Sequence, residues 1–200
     1  MDGTTLVDTV TDDLETQLSR LGSSKWLYAL TDGDMTGEAV RAAAAADAAA
    51  AAATFGAWAD ADGAAETFDA LATSAADRRD AVDADVSPAD RRVDATLAGL
   101  DGAVSRLGGA LGYLLVLDRT VGQMVGFFVG DADPSTANQF RDLRDGVDAD
   151  RSRVVDALDS ACADDDWDRA ADAATAVVEA AYDDYVERLE SMGVKPKNVC

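Results

Sequence analysis

Carboxylates are almost the only side chains in this 200-residue chain with chemistry to offer. It has no histidine, which removes the usual general base, the Ser-His and Cys-His nucleophile pairs and the most common transition-metal ligand. The acid is overwhelmingly aspartate, 33 Asp against 6 Glu. Two aspartates stand out because their neighbours are apolar. Asp118 occupies a slot in a long apolar helical stripe, and Asp47 alone interrupts the alanine run from Ala42 to Ala53. Buried by itself, the Asp118 charge would cost several kcal/mol, so it is expected to be paired, protonated or ligating. Arg119 is adjacent and cannot share its face. Gln123 or an arginine from another helix is the expected partner, in a buried pair that fixes helix register, with a functional carboxylate as the alternative. Asp47 is expected to face solvent.

The remaining candidates are sulfurs. Cys162 and Cys200 are too few for a disulfide framework and are expected to stay reduced. Cys200 is the last residue and cannot form a prenylation box, which needs three residues beyond the cysteine. Lys195 and Lys197 favour its thiolate while the terminal carboxylate opposes it, leaving a redox or linking role as a candidate.

The element that must organise these groups runs from Val93 to Phe128. Val93, Leu97, Leu100, Val104, Leu107, Leu111, Leu114, Asp118, Val121, Val125 and Phe128 follow one another at steps of three or four, the spacing of a buried helical seam. Around Asp118, the run Leu114 to Leu117 makes the helix apolar on all sides, as in the middle of a bundle. The glycines of this stretch each cost about 1 kcal/mol relative to alanine inside a helix, so they imply close approach of another backbone. Gly122, Gly126 and Gly130 recur at i, i+4 as a flat strip, while Gly108-Gly109 is compatible with a break into two helices or with an unbroken rod.

The other elements follow in order. Val7, Val10, Leu14, Leu18 and Leu21 form a helical stripe ending at Gly22, and Lys25 to Leu30 is a short helix. Thr36 caps a helix reaching about Asp60. Its alanines have near-maximal propensity and minimal volume, so it should lie very close to a partner, with the glycine strip as candidate mate. Asp62-Gly63 starts a helix over Ala64 to Val82 with Phe68, Leu71, Ala75, Arg79 and Val82 on one face. Ser87-Pro88 opens the central element, with Asp90 in its first turn, and Asp133-Pro134 opens a helix carrying Phe140, Leu143, Val147, Val154 and Leu158. The last helix begins in Asp164 to Asp166, follows the seam Trp167, Ala171, Ala174, Val178, Ala181, Tyr185, Leu189 and Met192, and ends at Gly193. The prediction is an all-α bundle of six to seven helices in a single domain, 1–200, with an irregular tail over 194–200.

A net charge of −22 sets the outer limits. The acid is interleaved with apolar periodicity instead of being blocked into a tail, which argues against disorder. A cytoplasm with molar salt, where an acidic surface stays soluble and its repulsion is screened, accounts for it. Nucleic-acid binding is not expected, since Arg141, Arg144, Arg151 and Arg153 are interrupted by Asp142, Asp145, Asp148 and Asp150 into a solvated mixed face. No charged and then apolar leader opens the chain, so export is not expected. Leu107 to Val129 is long enough to span a membrane, but Asp118, Arg119 and Gln123 at its middle argue against a span.

One resemblance bears on function. The alanine-rich helix carrying an acid, then Trp58-Ala59, Glu66-Thr-Phe-Asp-Ala-Leu-Ala72 and Asp77-Arg-Arg-Asp80, resembles the first half of the rubrerythrin and ferritin-like family. Arg106-Leu-Gly-Gly, Asp118-Arg, Gly126-Phe-Phe-Val-Gly-Asp-Ala-Asp-Pro134 and Met192-Gly-Val-Lys-Pro-Lys are similar to haloarchaeal rubrerythrin-like proteins. The resemblance implies a ferritin-like bundle. That family's di-iron site takes a Glu from each of two helices and two Glu-x-x-His pairs; here the place of the first pair reads Asp77-Arg-Arg-Asp80 and no second pair exists. The expected function is an interaction or structural protein without a working metal site or cofactor, self-associating as a dimer through its glycine strips and Trp167 or binding another protein. A di-iron or di-manganese oxidoreductase is the alternative, and an RNA-associated regulator, which fits only the all-α class, is the second.

Overall fold

The computed structural model describes residues 1–60, 63–86 and 91–196, and over these the chain forms nine helices and no strand. They are α1 (Gly3–Asp13), α2 (Glu15–Leu21), α3 (Ser24–Leu30), α4 (Gly37–Ala59), α5 (Ala65–Val82), α6 (Arg92–Ala98), α7 (Ala103–Gly130), α8 (Pro134–Ala161) and α9 (Asp166–Ser191). The all-α expectation holds. The count exceeds six to seven because two expected helices each divide. The N-terminal stripe bends at Leu14, whose backbone leaves helical geometry while its amide still donates to Val10 O. Leu6, Val10, Leu14, Leu18 and Leu21 nevertheless bury one common face, with Leu6 taking the place expected for half-buried Val7.

The central stripe divides too, but not at Gly108-Gly109. The break lies at Gly99–Gly102, and α7 runs unbroken through the glycine pair. Gly102 holds φ +78, a region open to glycine at no steric cost. The turn is closed by the Arg106 Nε hydrogen bond to Leu100 O, 3.2 Å. Val93 and Leu97 on α6 still enter the same core as Leu107 and Leu111 on α7, so the periodicity survives the break.

Helix α7 is the hub, packed along both α8 and α9, and every residue from Leu107 to Asp118 is buried. Gly108 and Gly112 are the points of closest approach. A Cβ placed on Gly108 would lie 2.2 Å from Ala170 O, and one on Gly112 would lie 2.4 Å from Ala174 O. Two glycines and two alanines, each pair spaced by four, thus bring the backbones of α7 and α9 together.

The expected pairing of α4 with the Gly122-Gly126-Gly130 strip is not formed. Helix α4 lies along α5, and nothing comes within 4 Å of a Cβ built on Gly126 or Gly130. Alanine against α5 supplies the closeness, and the large side chains lock it: Phe55, Trp58 and Phe68 pack in series, tilted and then edge to face, with centroid separations of 5.4 and 5.2 Å.

Two side-chain caps form as the sequence indicates. Thr36 Oγ1 accepts from Ala39 N, and Asp133 accepts from Thr136 N ahead of Pro134. At the C-terminus of α9, Gly193 at φ +72 lets Val194 N reach Leu189 O and Gly193 N reach Glu190 O, satisfying carbonyls a helix end leaves orphaned. The expected Ser87-Pro88 start, Asp90 and Asp62 lie outside the described residues. The first turn of α6 is instead capped from another helix: the Asp184 carboxylate of α9 accepts from Arg92 N and Val93 N at 3.0 and 3.2 Å.

Candidate functional site

Asp118 lies on α7 facing α8, and its partner is Arg144. The Nε to Oδ1 distance is 2.7 Å, with Nη2 to Oδ2 at 3.4 Å. Arg144 stays on the exposed mixed face of α8 and reaches from there to the buried carboxylate one helix away. Gln123 is half-buried in the same surface cleft, together with Arg119, and Asp118 takes its hydrogen bonds from Arg144. The two halves of this pair are not equivalent. The Asp118 side chain is 12% exposed and that of Arg144 46%, so removing the arginine strands a buried charge, while removing the aspartate releases a guanidinium that can reach water. Arg144→Gln should cost about 1–3 kcal/mol, and Asp118→Leu should cost less. Denaturant unfolding of both variants in high salt checks the order, and the reverse order would contradict it.

Asp47 is not a solvent-facing residue. Helix α4 turns it toward Arg91 and Tyr113: Arg91 Nη1 donates to Oδ1 at 2.6 Å and Tyr113 OH donates to Oδ2 at 2.6 Å. The other edge of Arg91 forks onto Asp94, with Nε and Nη2 each at 2.8 Å. Burial opposes the Arg91 charge, but Asp47 and Asp94 outweigh it and hold the guanidinium protonated. Burial pushes the Asp94 carboxyl up, with Arg91 pulling the other way. Burial, and after it the Asp47 charge, raises the Tyr113 phenol well above its ordinary value, so Tyr113 remains a donor at neutral pH.

Beside this network is a cavity of about 40 Å³ enclosed by α3 to α9. That is room for about two or three waters. Its walls are mainly apolar, with Trp26, Val82, Met124 and Phe140 among them, and its charged lining residues are Asp47, Arg78 and Arg91. Arg78 is 6% exposed. Its Nη1 donates to Asp150 Oδ2 at 2.6 Å and to Ser74 Oγ at 2.9 Å, and Ser74 Oγ donates to the same Asp150 oxygen. The opposite edge of the guanidinium, Nε and Nη2, is buried with no acceptor among the described residues.

No protein-family model, curated protein or solved structure matches this chain. The site is accordingly read from its own chemistry. Asp77 and Asp80 are exposed, as is Glu66, while Arg78 between them points inward. Among the described residues no three Asp, Glu or Cys side chains converge as a metal site would need.

Arg78 also corrects the expected face of α5, which carries Phe68, Leu71, Ala75, Arg78 and Val82 in place of Arg79. Arg79 lies at the surface against Asp80. Two signals for the buried pair were present in the sequence. Stepping three from Ala75 reaches Arg78, and Asp150 sits in the empty slot between Val147 and Val154 on its own stripe. One charged residue in each of two apolar stripes, opposite in sign, is the pattern of a buried pair.

Trp167 is buried in the core and is withdrawn from the expected dimer face. The Cys162 thiol is pushed up, first by burial and then by Asp166 and Asp159, which leaves little thiolate. Cys200 and Lys197 lie outside the described residues. Within the described residues no helix is long and apolar enough to cross a membrane.

Proposed function

We propose that the protein is a non-catalytic, salt-adapted helical bundle of the ferritin-like, rubrerythrin-like kind that acts as a structural or interaction protein in the cytoplasm. One observation carries this reading: the carboxylates inside the bundle are already bound by its own donors. Asp118 is held by Arg144, Asp150 by Arg78 and Ser74, Asp47 by Arg91 and Tyr113, and Asp184 by two backbone amides. A carboxylate bridging two metals must offer both oxygens to cations. Here at least one oxygen of each accepts from arginine, tyrosine, serine or backbone, and the acids nearest the family pattern face water. The residues present do not fit a di-iron or di-manganese centre.

Self-association belongs to the same proposal, resting on the uncovered Gly126 and Gly130 beside exposed Val129. The test is to titrate Fe(II) and Mn(II) into protein held in molar KCl and to weigh the same sample by light scattering. No saturable metal binding and a mass of twice 20.7 kDa are expected. About two metal equivalents per chain would replace the proposal with the oxidoreductase, and a steady monomer mass would remove the dimer.

A further inference from the structure

The outward face of α7 from Arg119 to Gly130 carries no carboxylate. Its exposed residues are Arg119, Gly126, Val129 and Gly130, and Val129 is 55% exposed. Elsewhere the surface is acidic: on α9 the exposed residues from Asp168 to Glu190 are all acids except Arg169. Two copies of a chain with a net charge of −22 repel one another over such surface, so a helix face without acid is where they can meet. This face is also complementary to itself. Toward its N-terminal end it borders a cleft of about 500 Å³ between α7, α8 and the helices α1 and α2, with Leu18, Gly22 and Gly122 in its wall. The charges of the cleft are Glu15, Asp118, Arg119 and Arg144, of which Asp118 and Arg144 neutralise each other. Arg119 makes no ion pair among the described residues, and neither does exposed Asp131 at the opposite end of the face.

We propose that this face seats a second copy of the chain, with the two α7 helices antiparallel about a two-fold axis at Gly126. In that arrangement Gly130 lies level with the partner's Gly122, Val129 projects over the partner's cleft, and Arg119 comes beside the partner's Asp131. The same contacts recur on the other side of the axis, as a two-fold interface requires. The open position at Gly126, where nothing among the described residues lies within 4 Å of an added Cβ, admits the close crossing, while Val129 and the Arg119–Asp131 pairs fix its register and direction. The proposal rests on the self-association argued above and specifies its surface, its direction and its charges.

Disulfide trapping in molar KCl tests the geometry, using the full chain with Cys162→Ser and Cys200→Ser and dioxygen with a copper catalyst as oxidant. Gly126→Cys, on the axis, should cross-link to its own copy, since two cysteines bridge only when their Cα atoms lie within about 7 Å. Arg119→Cys alone should not, because the antiparallel arrangement sets the two copies of that position about 21 Å apart along the helices. Mixed Arg119→Cys and Asp131→Cys chains should give the hetero-linked dimer. Light scattering over a concentration series then tests the charges. Arg119→Asp should raise the dimer dissociation constant roughly 3- to 10-fold, and adding Asp131→Arg should restore it, with the helical circular dichroism unchanged throughout. A monomer mass for the wild type at every concentration would remove the self-association and this interface together. A wild-type dimer in which Gly126→Cys stays unlinked would leave the self-association standing and overturn the face assigned to it. Cross-linking of Arg119→Cys to itself would make the pair parallel and overturn the direction, and an Arg119→Asp dimer as tight as the wild type would overturn the charge pairing.

Discussion

Gly112→Ala, the addition of a single methyl group, should destabilise the protein by about 1–3 kcal/mol, and Gly112→Leu should prevent folding. The new Cβ would stand 2.4 Å from Ala174 O and 2.9 Å from Ala174 Cα. Both are backbone atoms of α9 and cannot rotate away as a side chain would. Helix α9 must then retreat by about 1 Å to restore van der Waals distance, and dispersion contacts along the interface weaken steeply with such a gap. Against this, alanine gains about 1 kcal/mol in helix propensity over glycine, which is too little to compensate. Gly108→Ala meets Ala170 O at 2.2 Å and should behave alike. The double variant should cost less than the sum, because one retreat of α9 relieves both clashes. Gly146→Ala, inside α8, is the internal control: nothing lies within 4 Å of its Cβ, so the propensity gain should stand alone and stabilise by about 1 kcal/mol. Denaturant midpoints in high salt measure the four alanine variants. Wild-type stability in Gly112→Ala would refute the close-approach account of these glycines.

Dilution from about 1 M KCl to about 10 mM at neutral pH should unfold the protein, because screening of its net charge lapses. The 22 net negative charges lie on an accessible surface of 9402 Å². Treated as a sphere of radius about 21 Å in water, the folded chain carries unscreened self-repulsion on the order of 50 kcal/mol. A chain expanded about threefold in radius retains roughly a third of it. With a Debye length of about 30 Å at 0.01 M, the folded state is disfavoured by on the order of 20 kcal/mol, whereas at 1 M, with about 3 Å, a few kcal/mol remain. Even a third of the low-salt penalty matches the ~5–15 kcal/mol by which folded proteins are usually stable. The internal ion pairs offer no relief. At least nine of the 14 arginines sit in ion pairs with carboxylates, and a neutral pair leaves the excess of acid unchanged. Circular dichroism across the dilution reads the result, and acidification toward the pI of about 4.1 should restore helicity in low salt. An unchanged spectrum at 10 mM and neutral pH would end the salt-adaptation argument and leave the acidic surface to be explained by a basic partner.

The helical class, most helix ends and the seams of α7, α8 and α9 were legible in the sequence because they are local. Periodicity at three and four residues, Thr36 and Asp133 as caps, Pro134 at a first turn and Gly193 at an end each act within a turn of themselves. The need for a partner at Asp118 was legible as well, since the cost of an unpaired buried charge depends only on its being buried. Which arginine answers it was not, because Arg144 lies 26 positions away and only the packing of α7 on α8 selects it. The same holds for Asp47. A lone acid in an alanine helix reads as surface until α6 and α7 bring Arg91 and Tyr113 to it. The glycines divide along the same line. Their number announced a close approach, but Gly122, Gly126 and Gly130 have the same spacing as Gly108 and Gly112, and only the crossing point of α7 with α9 decides which of them touch a neighbour. The cavity beside Arg78 was the least legible feature, since it exists only where seven helices enclose a space that no single helix can describe.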